Sequence, residues 1–184
     1  LATRFGFPVS TTHALLGALV GAGYAAAGNR VNLAPLGQNI LLPLFLSPLV
    51  AAVCGGALYL LLRALRLAPD QRTPTLDALH ILSTGAASFA RGLNDTPKMA
   101  ALFLVAEQFD IRWGYAAVAV MILIGGLLDA DKVAETLGKK VTDMNPSQGF
   151  AASLVTASLV ITATIYGLPL STTHVSVGSL LGIG

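Results

Sequence analysis

Hydrophobic residues make up 54% of the 184-residue chain and charged residues 11%, with a mean hydropathy of +0.73. Soluble globular domains average about 25% charged residues, so this balance excludes one and defines an integral membrane protein. The formal net charge of +2 is spread over short loops without a basic cluster, which excludes nucleic acid as a partner, and Cys54, the single cysteine, excludes an intrachain disulfide.

The chain opens at Leu1 with no methionine and no signal-peptide pattern, as expected of a fragment. Its first stretch, Phe5 to Gly23, reads FGFPVSTTHALLGALVGAG, and the last, Tyr166 to Gly184, reads YGLPLSTTHVSVGSLLGIG. At an offset of 161 residues (171 − 10) the two share Gly-x-Pro-x-Ser-Thr-Thr-His and the glycines that follow. The chain therefore contains an internal duplication. Serine and threonine favour helix starts, where their oxygens accept from the first unpaired backbone N–H groups. Such a start also attracts anions through those N–H groups and the helix dipole. A simple cap needs one hydroxyl. Three hydroxyls and a histidine, twice, point to Ser10, Thr11, Thr12, Ser171, Thr172 and Thr173 as a substrate-binding set.

Ala14 to Gly28 predicts a short helix with Gly17, Gly21 and Gly23 spaced for close approach of a neighbour. Ile40 to Leu62 is uncharged and predicts a transmembrane helix, bent in its first half by Pro43 and Pro48. A polar loop with Arg63, Arg66 and Arg72 follows. Leu76 to Phe109 is long enough to span, yet holds Arg91, Asn94, Asp95 and Lys98 among apolar residues. A charge at that depth costs about 2.5–3.5 kcal/mol on insertion scales and is usually paired and in use. Gly92 and Pro97 flank Asn94-Asp95 and predict a broken helix, the device by which many carriers build a site at membrane depth. Trp113 to Leu128 is a further apolar run anchored by Trp113 and Tyr115, Asp129 to Ser147 reads as the longest polar loop, and Phe150 to Tyr166 is the last full helix.

If each apolar segment crosses once, the loops Arg63 to Arg72 and Lys132 to Lys140 share one side, with three Lys or Arg each. The loops at Arg30 and Arg112 share the other, with one each, so the first pair is expected in the cytoplasm. The helix after the first hydroxyl motif then runs outward and the helix after the second runs inward. The reading is all-α: a multi-pass transmembrane protein with inverted-topology repeats, a broken helix and re-entrant hairpins, its two motifs facing each other near the membrane midplane. Residues 1–184 form one transmembrane domain, with the end of a first repeat at 1–66 and a second repeat from about 76 to 184.

Pro8-Val-Ser-Thr-Thr-His13, Pro169-Leu-Ser-Thr-Thr-His174 and Gly92-Leu-Asn-Asp-Thr-Pro-Lys98 resemble the inorganic phosphate transporter (PiT) family, whose halves each carry a Gly-x-Asn-Asp motif followed by a Pro-x-Ser-Thr-Thr hairpin. The resemblance spans almost the whole chain. It implies a symporter of inorganic phosphate in the cell membrane, not an enzyme, without a cofactor and with a co-transported proton or Na⁺. It places Asn94 and Asp95 at the ion and phosphate site, with the two hydroxyl triplets lining it. The chain departs from the pattern in two ways. Lys98 stands where the family's motif ends in a second asparagine, and the partner Gly-x-Asn-Asp motif is expected upstream of Leu1.

The residue chemistry agrees. Hydroxyls and helix-start N–H groups can hold a phosphate, whereas Asp95 would repel it, so Asp95 with Asn94 suits a co-transported cation, with sodium at Asp95 the one metal in prospect. Arg91, Lys98, His13 and His174 are modulators: the histidines as proton carriers or plain hydrogen-bonding groups, Arg91 as a phosphate contact or, preferred, as the ion-pair partner of Asp95, and Lys98 as a fixed cation or a snorkelling anchor. Partners are inorganic phosphate and the lipid bilayer, and a homo-oligomer is compatible with the reading. Three alternatives stand beside it: a sulfate carrier of the same family, an intramembrane hydrolase using a serine with His13 or His174, and an anion channel. The hydrolase is weakened because the two motifs are alike, while a catalytic centre needs one nucleophile with a distinct base.

Overall fold

A computed structural model of the chain describes residues 2, 5–67, 73–105, 110–137 and 144–184. Seven helices are described: α1 (Thr11–Ala27), α2 (Ala34–Leu36), α3 (Leu42–Ala64), α4 (Pro74–Ala100), α5 (Ile111–Glu135), α6 (Pro146–Ile165) and α7 (Thr172–Ile183). No strand occurs among the described residues. Among the described residues, three helical stretches are long and apolar enough to cross a membrane: Asn39–Ala64, Ile111–Leu128 and Pro146–Ile165. Large apolar side chains such as Phe45, Leu60, Leu82, Phe89 and Leu127 stand exposed, as they do on a lipid-facing surface.

Helix starts follow the caps written in the sequence. Ser10 and Ser171 cap α1 and α7 by accepting from the N–H groups of His13 and His174. Thr73 caps α4 with Pro74 at the first position, Asp110 caps α5, and Asn145 with Gln148 forms a reciprocal capping box on α6. The duplicated Gly6 and Gly167 both take positive φ, 73° and 65°, turning the chain into each extended Pro-x-Ser segment.

Two helix pairs hold the fold together. In the first, His80 packs on Gly149, Thr84 Oγ1 lies 3.4 Å from Ser153 Oγ, and Thr164 meets Asn94, so α4 and α6 run parallel. In the second, Gly178 seats on Pro48 and Gly182 on Ala52, so α3 and α7 run parallel too. A Cβ at Gly182 would lie 2.6 Å from Ala52 Cα, so only glycine permits this approach. α7 descends along α6, with Thr156 Oγ1 to Ser179 Oγ at 3.4 Å and Gln148 Nε2 to the Ile183 carbonyl at 3.3 Å. The core lies between these elements, built from Ala51, Ala90, Val160, Ala163, Leu170 and Val175, with a second cluster around Tyr59, Ala151 and Leu180.

Two expectations are corrected. α4 is not broken at Asn94-Asp95: it is helical from Pro74 to Ala100, about 40 Å, and gives way only to a 3₁₀ turn at Ala101–Val105. Pro97 removes one backbone donor, while the polar side chains beside it find partners on other elements, so nothing forces the backbone open. Asp129 to Ser147 is not a continuous loop either, because α5 continues to Glu135 and α6 starts at Pro146. Asp131, Lys132 and Glu135 end the apolar run but not the helix. Arg72, Glu107, Lys139 and Lys140 lie outside the described residues.

Candidate functional site

The two hydroxyl motifs meet at their tips. Ser171 Oγ donates to Ser10 Oγ at 2.8 Å, and the rings of His13 and His174 stand edge to face with centroids 4.5 Å apart. Thr12 Oγ1 donates to the Leu170 carbonyl at 3.1 Å, and Thr173 Oγ1 to the Val9 carbonyl at 3.2 Å. Residues 9 and 12 correspond to 170 and 173 under the 161-residue offset. These contacts are therefore reciprocal, as across a local twofold axis. Beyond the tips the two helices diverge. Gly178 and Gly182 of α7 sit against α3, whereas a Cβ at Gly17 or Gly21 of α1 would meet no other element within 4 Å among the described residues.

α4 supplies the third wall. Asn94 and Asp95 are 4% and 5% exposed. The Asn94 amide donates to Asp95 Oδ1 at 3.0 Å and to the Leu170 carbonyl at 3.3 Å, and Thr172 Oγ1 donates to Asp95 Oδ2 at 3.4 Å. Thr164 Oγ1 lies 3.5 Å from Asn94 Oδ1 while donating to the Val160 carbonyl at 2.8 Å. Lys98 Nζ donates to the Leu170 carbonyl at 2.8 Å and to Thr12 Oγ1 at 3.1 Å, and stands 3.8 Å from Asp95 Oδ1. A cavity of about 320 Å³ opens beside this cluster, lined by Thr11, Ala14, Leu15, Asp95, Lys98 and Met99. The cluster is level with the last turn of α6, at Thr164.

Of the residues singled out from the sequence, Ser10, Thr12, His13, Asn94, Asp95, Lys98, Ser171, Thr172, Thr173 and His174 converge here, and Thr11 faces the adjoining cavity. Arg91 does not join them. It is exposed, and the ion-pair partner of Asp95 is Lys98, which corrects the preferred pairing. The carbonyls of Leu170 and Val9 escaped the reading of side chains. The prolines before them, Pro169 and Pro8, were the available signal, since proline holds the chain out of a helix and leaves carbonyls open to outside donors.

The arrangement suits an oxyanion. The N–H groups of Thr11, Thr12, Thr172 and Thr173 precede the first helical hydrogen bonds, which are Ala14 N to the Ser10 carbonyl and Val175 N to the Ser171 carbonyl. Two positive helix ends thus converge on a cluster in which Lys98 balances Asp95. Ser10 Oγ accepts from Ser171 Oγ and from His13 N, and its own proton can pass to His13 Nδ1 at 2.9 Å. The result is a short hydroxyl chain from one motif to the other.

The chain is thus helical, with stretches long and apolar enough to cross a membrane and two duplicated tips that meet. The profile of the phosphate transporter family matches residues 1–75 and 68–184, and the chain belongs to that family. It is 32% identical over 192 residues to the probable low-affinity inorganic phosphate transporter of Mycobacterium leprae, covering 97% of this chain and 46% of the relative. It is 31% identical to the Bacillus subtilis protein of the same description, covering 98% and 57%. It is 37% identical over 130 residues to the sodium-dependent phosphate transporter 1-B of Xenopus laevis, covering 62% and 19%. The chain spans about half the length of the first two relatives. No solved structure matches it.

Proposed function

We propose that this chain forms the substrate-gripping core of a multi-pass symporter of inorganic phosphate in the cell membrane, with the anion held between the Ser10–Thr12 and Ser171–Thr173 tips and a proton or sodium ion coupled through Asp95 and Asn94. The observation that carries this reading is the reciprocal meeting of the tips, with Ser10 and Ser171 hydroxyls 2.8 Å apart. Reciprocity of this kind supports two repeats of inverted topology. So do the parallel pairs α3 with α7 and α4 with α6, because single crossings in chain order give those pairs the same direction and leave α1 opposed to α7.

Phosphate is favoured over sulfate by the names of the relatives and by the site's mixture of donors and acceptors, since phosphate near neutral pH carries a proton to donate and sulfate does not. A hydrolase would need a third group to orient the histidine beside Ser10, and the His13 ring instead meets the edge of His174. The test is uptake of radiolabelled phosphate by the full-length carrier in sealed proteoliposomes under imposed proton or sodium gradients, with excess unlabelled sulfate as competitor. Concentrative phosphate uptake that resists sulfate is expected. Sulfate uptake without phosphate uptake, or hydrolysis of a substrate without transport, would overturn the reading.

A further inference from the structure

We propose that the Lys98 ammonium is a built-in cation filling the place beside Asp95 that a coupling sodium ion would take, so that phosphate uptake at this site proceeds without Na⁺. This rests on the phosphate-carrier reading above.

A lysine near a membrane surface ordinarily reaches for the headgroups along its flexible stem. Lys98 does the opposite. Its Nζ turns inward, to the Leu170 carbonyl at 2.8 Å, to Thr12 Oγ1 at 3.1 Å, and toward Asp95 Oδ1 at 3.8 Å. Those three oxygens come from three separate pieces of chain: the turn before α7, the first turn of α1, and α4. An ammonium has three protons to donate, and the cluster offers it three acceptors. A carbonyl from non-helical backbone, a hydroxyl and a carboxylate are hard oxygen donors, the kind of ligand a sodium ion also takes. The Leu170 carbonyl receives Thr12, Asn94 and Lys98 together, so positive or proton-bearing groups already crowd it.

Charge leaves no room for a second cation. Lys98 cancels Asp95, and a sodium ion entering the same oxygens would meet the ammonium at contact distance in a poorly solvated place. Without Lys98, the buried Asp95 carboxylate keeps its Asn94 and Thr172 partners but has no counter-charge, and a mobile cation becomes the natural replacement.

The experiment measures phosphate uptake by the full-length carrier in proteoliposomes, with an imposed proton gradient, in choline or sodium medium. The parent is expected to show the same uptake in both. Lys98→Asn is expected to fall at least tenfold in choline and to recover in sodium, and Lys98→Arg to keep the parent's indifference to sodium. Binding of ²²Na⁺ to purified protein gives a second reading: none with the parent, saturable binding with Lys98→Asn. A parent that requires sodium overturns the proposal without any variant, and so does Lys98→Asn uptake in choline at the parent's level. Either result leaves the phosphate reading intact. Absence of phosphate uptake under every gradient overturns that reading and this proposal with it.

Discussion

Asp95 meets three partners at once: the Asn94 amide, the Thr172 hydroxyl and the Lys98 ammonium. Asp95→Asn keeps the shape and removes the charge, leaving Lys98, whose side chain is only 25% exposed, without its carboxylate. We expect concentrative uptake to be lost while the protein still inserts, and stability to fall by about 1–3 kcal/mol, the cost of an unsatisfied buried group. Adding Lys98→Met should recover that stability but not uptake. Thermal unfolding in detergent measures the first and uptake the second; parental uptake in Asp95→Asn would remove Asp95 from the mechanism. Ser10 and Ser171 share one hydrogen bond. Ser10→Ala and Ser171→Ala are each expected to cost about 1 kcal/mol and the double variant clearly less than their sum, because both remove the same contact. Strict additivity would mean the two tips act independently. These residues were legible from the sequence because three hydroxyls and a histidine exceed what a cap requires. Which cation faces Asp95 was not. Arg91 lies four residues before it and Lys98 three after, both within helical reach, and only the packing of α4 on α6 decides which of them points inward.

At the scale of elements, the α3–α7 seam is a close backbone approach that depends on missing side chains. Cβ atoms at Gly178 and Gly182 would lie 2.8 Å from Pro48 Cα and 2.6 Å from Ala52 Cα, where the obstacle is backbone. Gly178→Ala or Gly182→Ala is therefore expected to destabilise by about 1–3 kcal/mol through overpacking, although alanine is the better helix former. An unchanged melting temperature in either variant would show that the seam does not bear on stability. Glycine spacing signalled close approach on α1, where a Cβ at Gly17 or Gly21 would meet nothing among the described residues; the close approach lies instead at the duplicate glycines of α7, Gly178 and Gly182. Helix existence was readable from apolar runs, and helix ends less so. Pro97 looked like a break because a proline removes a hydrogen bond, but the loss of one bond is small beside the many that keep α4 whole. α5 outran its apolar stretch because hydropathy reports the solvent around a helix, and Asp131, Lys132 and Glu135 remain compatible with helix after the lipid ends.

For the whole molecule, the inverted arrangement proposed above is tested by which side of the membrane each loop faces. Single cysteines introduced in a Cys54→Ala background at Arg66 or Lys132 should react with an impermeant thiol reagent only from the cytoplasmic side, and those at Arg30 or Arg112 only from outside. Labelling of Arg30 and Arg66 positions from the same side would remove the inverted arrangement. Under the proposed function, the bond from Ser171 to Ser10 has a consequence for loading. A hydroxyl has one proton to give, so an anion oxygen that claims the Ser171 proton takes it from Ser10. The direct hydrogen bonds left between the tips would then be Thr12 on the Leu170 carbonyl and Thr173 on the Val9 carbonyl, and the anion itself would become the third tie.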